Sequence, residues 1–88
     1  MPALEVLAAR CRARGVKATP QRLEVYRALL ATDSHPSPEA IYQVVKTRMP
    51  SVSLATIYKT LEALRAAGLA RLVSHAGDTK RYDGRTDP

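Results

Sequence analysis

The stretch Ser53-Leu54-Ala55-Thr56-Ile57-Tyr58-Lys59-Thr60-Leu61-Glu62-Ala63-Leu64-Arg65-Ala66-Ala67-Gly68-Leu69 constrains this chain more than any other, because it holds a helix start, two unlike faces and a helix stop in one short run. Ser53 is a good N-cap, since its hydroxyl can accept from a free backbone N–H of the first turn. Ile57, Leu61 and Leu64 follow at steps of four and three and share one side, with Leu54 beside them. Gly68 can turn left-handed after the last turn. The opposite face presents Ala55, Thr56 and Lys59, with Tyr58 on its shoulder, all within the first two turns. A recognition helix offers its N-terminal residues to base edges in this way. Small residues there permit close approach, Thr or Tyr can touch a thymine methyl, and Lys can donate to guanine. Read alone, the same pattern also describes an ordinary amphipathic helix with a solvated face.

What precedes that helix favours the first reading. Residues 3 to 14 suggest a helix with Leu4, Leu7, Ala8 and Cys11 on one side, ended by Gly15. Arg10, Arg12 and Arg14 give it a basic rim that faces phosphate or solvent. Thr19 then Pro20 is an N-cap followed by a favoured first helical residue. The helix they open buries Leu23, Tyr26, Leu29 and Leu30, and Lys17, Gln21 and Arg22 gather at its N-terminus. Free N–H groups and the helix dipole favour an anion there, so the cluster reads as a phosphate clamp or as a solvated cap. Ser37-Pro38-Glu39 repeats the same grammar and opens a third helix to about Arg48, with Ile41, Val44 and Val45 as its core face. Pro50 forces the turn into the helix beginning after Ser53. Two short helices joined by a tight turn match helix-turn-helix grammar.

After Gly68 the period changes. Residues 70 to 74 and 80 to 83 read as short strands, and His75-Ala76-Gly77-Asp78-Thr79 between them reads as a hairpin loop. A hairpin after the recognition helix is a wing, on which Arg71, Lys80 and Arg81 can meet phosphate or the minor groove. The expected fold is mainly α with a small β-hairpin, a winged helix-turn-helix.

Composition narrows the partners. The chain has 88 residues, enough for one domain with a modest core, and a formal net charge of +6. That balance favours a polyanion, nucleic acid first. A membrane is not expected: no apolar run approaches the ~20 residues that span a bilayer, and no helix is both basic and broadly apolar. The N-terminus lacks signal-peptide character and the one cysteine excludes an intramolecular disulfide, so the expected location is cytoplasmic. Cys11 reads as a small buried apolar residue in preference to a reactive thiol. An enzyme is not expected, for want of a nucleophile–base pair, a Gly-rich phosphate loop or a complete metal set.

Thr19-Pro20-Gln21-Arg22, His35-Pro36-Ser37-Pro38-Glu39-Ala40-Ile41-Tyr42, Ser53-Leu54-Ala55-Thr56-Ile57-Tyr58-Lys59-Thr60-Leu61 and Lys80-Arg81-Tyr82-Asp83 occur in this order. Together they resemble the ferric uptake regulator family of bacterial metal-dependent repressors, from about Leu4 to Asp83. The resemblance implies the winged-helix DNA-binding half of such a regulator. Full-length members continue into a His-rich α/β dimerisation domain, usually with paired Cys-x-x-Cys zinc ligands, and this chain has neither. We expect a winged-helix DNA-binding domain over 1–83 and a hinge or tail over 84–88 toward an absent dimerisation domain, as a truncation or a short paralogue.

By resemblance, Tyr58 and Lys59 meet bases, and Ser53, Thr56 and Thr60 add hydroxyl contacts beside Ala55. Lys17 reaches toward the minor groove, and Thr19, Gln21 and Arg22 toward backbone phosphate. Members often carry Arg where this chain has Lys59, which is a point donor and not a fork. His35 and Asp83 resemble the two positions this half lends to the family's regulatory metal site. The full-length protein is expected to take Fe, Mn or Zn there, with the fragment holding none, because two ligands fall short of the five or six N/O donors that Fe or Mn favours. Asp in place of Glu at Asp83 resembles the peroxide-sensing branch, in which iron-driven oxidation of a ligand His, here His35, releases the repressor. Double-stranded DNA is the implied partner, with a homodimer for the full-length protein and a monomer for the fragment. The rival reading is a winged-helix protein–protein interaction module without DNA readout.

Overall fold

The computed structural model describes residues 3–32, 34–73 and 80–85. Four helices precede a two-stranded hairpin: α1 (Leu4–Ala13), α2 (Pro20–Ala31), α3 (Pro38–Arg48), α4 (Leu54–Ala66), β1 (Arg71–Val73) and β2 (Arg81–Asp83). This is a winged helix.

Local chemistry sets most of these boundaries. Thr19, Ser37 and Ser53 each accept from the backbone N–H three residues on, at 3.2, 3.2 and 3.1 Å, and Pro20 and Pro38 occupy the first helical turn behind two of those caps. At the other ends, Gly15 and Gly68 take φ of 77° and 79°, a region closed to most L-residues. Beyond each glycine the chain folds back on its helix, with Val16 N–H on the Cys11 carbonyl and Leu69 N–H on the Leu64 carbonyl, both at 2.8 Å. Val16 and Leu69 are thereby turned into the core. Arg14 does not serve as a free rim, since its guanidinium donates at 3.0 Å to the Ala67 carbonyl at the end of α4.

α2 is the hub, touching α1, α3, α4 and β2. Its buried face is therefore broader than the expected stripe. Val25 and Ala28 join Tyr26 and Leu29, while Leu23 and Leu30 pack at the margin. α4 buries Ile57, Leu61 and Leu64 as expected. On α3, Ile41 and Val45 are buried, but Val44 is 49% exposed and does not belong to the core face. It borders a recess lined on the α2 side by Glu24, Arg27, Ala28 and Ala31. Cys11 is fully buried, and burial pushes its thiol pKa up against the opposing pull of Arg22 and Arg12. That environment suits an inert packing residue.

The strands pair antiparallel, Arg71 with Asp83 and Val73 with Arg81. The expected turn at 75–79, and residue 74 before it, lie outside the described residues. β2 is anchored on both sides. Tyr82 N–H donates to the Pro36 carbonyl at 3.0 Å, and its wholly buried ring sends the hydroxyl to Glu62 of α4 at 2.6 Å. Packing continues through buried Gly84, where an added Cβ would lie 2.9 Å from Leu30.

Candidate nucleic-acid interface

The N-terminus of α2 and the first two turns of α4 share one surface. A recess of about 270 Å³ between them is lined by Lys17, Thr19, Gln21, Arg22, Thr56, Lys59 and Thr60. Each of these residues is among those the sequence singles out, although they come from segments some forty positions apart. Neither helix has an acidic residue in its first turn. Lys17, Arg22 and Lys59 therefore add to the positive end of the α2 dipole with no carboxylate lining the recess.

Within that surface the side chains divide by what already occupies them. Thr19 and Ser53 are caps, and the Ser53 hydroxyl also meets that of Thr56 at 2.9 Å. Arg22 steadies the loop before α2 by donating to the Lys17 carbonyl at 3.2 Å. Gln21, Ala55 and Lys59 are exposed. Thr60, expected to add a hydroxyl contact, is 3% exposed and lies on the floor of the recess. The spacing carried that signal, because Thr60 lies three residues after Ile57 and four before Leu64, inside the buried stripe.

Tyr58 is 37% exposed and is not solitary. Its hydroxyl donates to Glu39 Oε2 at 2.6 Å, joining the second turn of α4 to the first turn of α3. The bond holds the Glu39 carboxyl below its ordinary range and the Tyr58 phenol above its own. Nothing in the sequence placed Glu39 here, since only the angle between α3 and α4 brings the two together.

The hairpin residues are committed differently. Lys80 is exposed. Arg71 is exposed but pairs with Asp83 Oδ2 at 3.2 Å. Arg81, expected to meet phosphate, is half-buried and donates at 3.1 Å to the His35 carbonyl, which ties β2 to the segment before α3.

His35 and Asp83 are brought together, with Nε2 and Oδ2 3.8 Å apart. Asp83 Oδ1 accepts from the Arg85 N–H at 2.9 Å. That bond, aided by Arg71 and His35, holds the Asp83 carboxyl below its usual value against the effect of burial. An imidazole nitrogen beside a carboxylate oxygen is the right donor chemistry for Fe, Mn or Zn. It is only part of a coordination sphere, and among the described residues no group of three or more His, Cys, Asp or Glu is placed to hold an ion.

Known proteins share this fold. The Ferric uptake regulator family profile matches residues 13–88. The peroxide-responsive repressor PerR of Staphylococcus epidermidis is 35% identical over 83 residues, covering 94% of this chain and 55% of that protein. PerR of Staphylococcus aureus is 34% identical, covering 94% and 56%. The chain thus spans about half the length of the curated relatives it matches. Among solved structures, PerR from Streptococcus pyogenes superposes with a TM-score of 0.81 at 27% identity, over 96% of this chain and 58% of that one. The Pseudomonas aeruginosa ferric uptake regulator with manganese gives 0.80 at 28%, over 90% and 59%. By profile, by sequence identity and by fold, the chain belongs to the ferric uptake regulator family.

Proposed function

We propose that this chain binds double-stranded DNA sequence-specifically, as the N-terminal half of a metal-dependent transcriptional repressor. The observation that supports it best is the acid-free recess in which the α2 N-terminus and the first turns of α4 lie side by side. With α4 in the major groove, Lys59 and Tyr58 face base edges, and Lys17, Gln21 and Arg22 face the backbone. Phosphate contacts set the affinity and base contacts the sequence preference. One domain reads one half-site, so a homodimer of the longer protein calls for a palindromic operator.

His35 and Asp83 are proposed as this half's contribution to a regulatory metal site. These two residues would hold an Fe, Mn or Zn ion, which would supply a cross-link to donors elsewhere in the longer protein. Within this chain, His35 precedes α3 and Asp83 ends β2, so the pair sits where the reading domain joins whatever follows it. His35 and Asp83, if tied through such an ion to the longer protein, would favour one hinge geometry and with it one spacing of two reading helices. The relatives named peroxide-responsive, together with Asp at position 83, support assignment to the peroxide-sensing branch, with His35 as the oxidisable ligand.

Titrating salt against duplex binding tests the core of this reading. Log K should fall with log salt at a slope of roughly 0.9 for each phosphate neutralised. Binding that is insensitive to salt, or absent at low salt, would move the assignment to a protein-contact module.

A further inference from the structure

Tyr58 and Glu39 form a link that the reading function does not by itself require. The phenol has one proton to give, and it gives it to Glu39 Oε2 at 2.6 Å. Both groups are exposed, so neither has to be paired for burial's sake. The link spans from the first turn of α3 to the second turn of α4. An unattached tyrosine at this place could swing through several rotamers and would lose that freedom on meeting DNA. An unattached carboxylate would simply repel phosphate. The hydrogen bond removes the tyrosine's cost; Glu39 keeps its negative charge.

We infer that Glu39 is a positioning residue for base readout: by taking the Tyr58 hydroxyl it fixes the ring, and the ring, not the oxygen, becomes the part of Tyr58 that meets the DNA. An apolar ring edge in the major groove has one distinctive partner, the C5 methyl of thymine. The inference rests on α4 being the DNA-reading helix. It differs from the bland role of Glu39 as a negative charge at a helix N-terminus, which would act on stability alone.

The test is selection of duplexes from a random-sequence library by the 88-residue chain, followed by binding to the selected duplex with single thymines replaced by uracil. The wild type should prefer thymine over uracil at one position. Glu39→Ala and Tyr58→Phe should each reduce that preference about threefold, as expected for losing one exposed charge-assisted hydrogen bond. The double variant should be no lower than either single one. Glu39→Gln, whose amide oxygen can still accept, should retain most of the preference, although it loses the same charge as Glu39→Ala. A full thymine preference in Glu39→Ala, with or without a lower Tm, overturns the inference. Failure of the wild type to enrich any sequence overturns the DNA-reading assignment, and the inference with it. The two failures are distinguishable because the second appears before any variant is made.

Discussion

Lys17 and Lys59, on the recess between α2 and α4, hold their ammonium groups without a side-chain partner among the described residues. Around Asp83, by contrast, charge is matched at short range. Arg71 and the Arg85 N–H meet its carboxylate, His35 stands 3.8 Å away, and Arg81 is turned onto the His35 carbonyl. Both regions are polar and lie on the surface, yet one leaves positive charge open and the other closes it on itself. Open cations cost a small domain little in water and are ready for an anionic partner. A closed cluster holds loops and strands in register, and its members must let go of one another before they can bind anything else. The difference separates a surface with cations open to an anionic partner from one whose charges hold the hairpin against the segment before α3.

That contrast is broken most directly at His35. In a full-length protein of which this domain is the N-terminal half, His35→Ala should abolish the stimulation of DNA binding by added manganese and leave the dimer intact. Gel-shift titration with and without the metal, beside light scattering, reads both. In the 88-residue chain alone the same variant should bind duplex within about twofold of the wild type, since His35 is not among the residues lining the reading recess. Metal stimulation that survives the substitution would remove His35 from the regulatory site.

Lys59 sharpens the other side of the comparison. Lys59→Ala should lower affinity for a selected duplex about tenfold, in the range of one good base contact, and shift Tm by no more than an ordinary surface change. The salt slope then tells base from phosphate. A slope unchanged from wild type assigns Lys59 to a base edge, and one reduced by about 1 assigns it to the backbone. Unchanged affinity would place the reading surface elsewhere.

How far the sequence foretold these two regions depends on the range of the forces involved. The caps at Thr19, Ser37 and Ser53 and the left-handed turns at Gly15 and Gly68 are decided by atoms within a few residues, and the helices begin and end where those residues place them. The members of the recess between α2 and α4 were legible because helix N-termini and small or basic residues announce themselves locally. Tertiary neighbours decided the rest. Val44 satisfies the helical period but stays 49% exposed beside a surface recess. Thr60 is polar by composition, yet it sits in the middle of a stripe that α4 buries. Only the tertiary fold brings the His35 carbonyl, 46 residues earlier, within reach of Arg81. The approach of His35 to Asp83 entered only through resemblance, since no periodicity connects a loop to a strand end.

The smallest effect concerns a second closed cluster, where the hairpin meets the reading helix itself. Tyr82 donates to Glu62 Oε2 at 2.6 Å, and Arg65 holds Glu62 Oε1 at 3.0 Å. Arg65 first, then Tyr82, pull the Glu62 carboxyl below its ordinary value of 4.5, against a minor effect of burial. The sign follows from linkage: a carboxylate whose folded pKa is depressed adds stability above its unfolded value and loses it as pH falls through the folded one. Glu62→Gln keeps an oxygen for the Tyr82 hydroxyl but gives up the charge that Arg65 feels. Wild type should therefore melt above Glu62→Gln by about 2 °C near neutral pH, a small margin because the ion pair is largely exposed. The gap should begin to close as pH drops below 4.5 and vanish once Glu62 is protonated in the folded chain. A gap that persisted unchanged in acid would trace the difference to packing of the amide and not to charge.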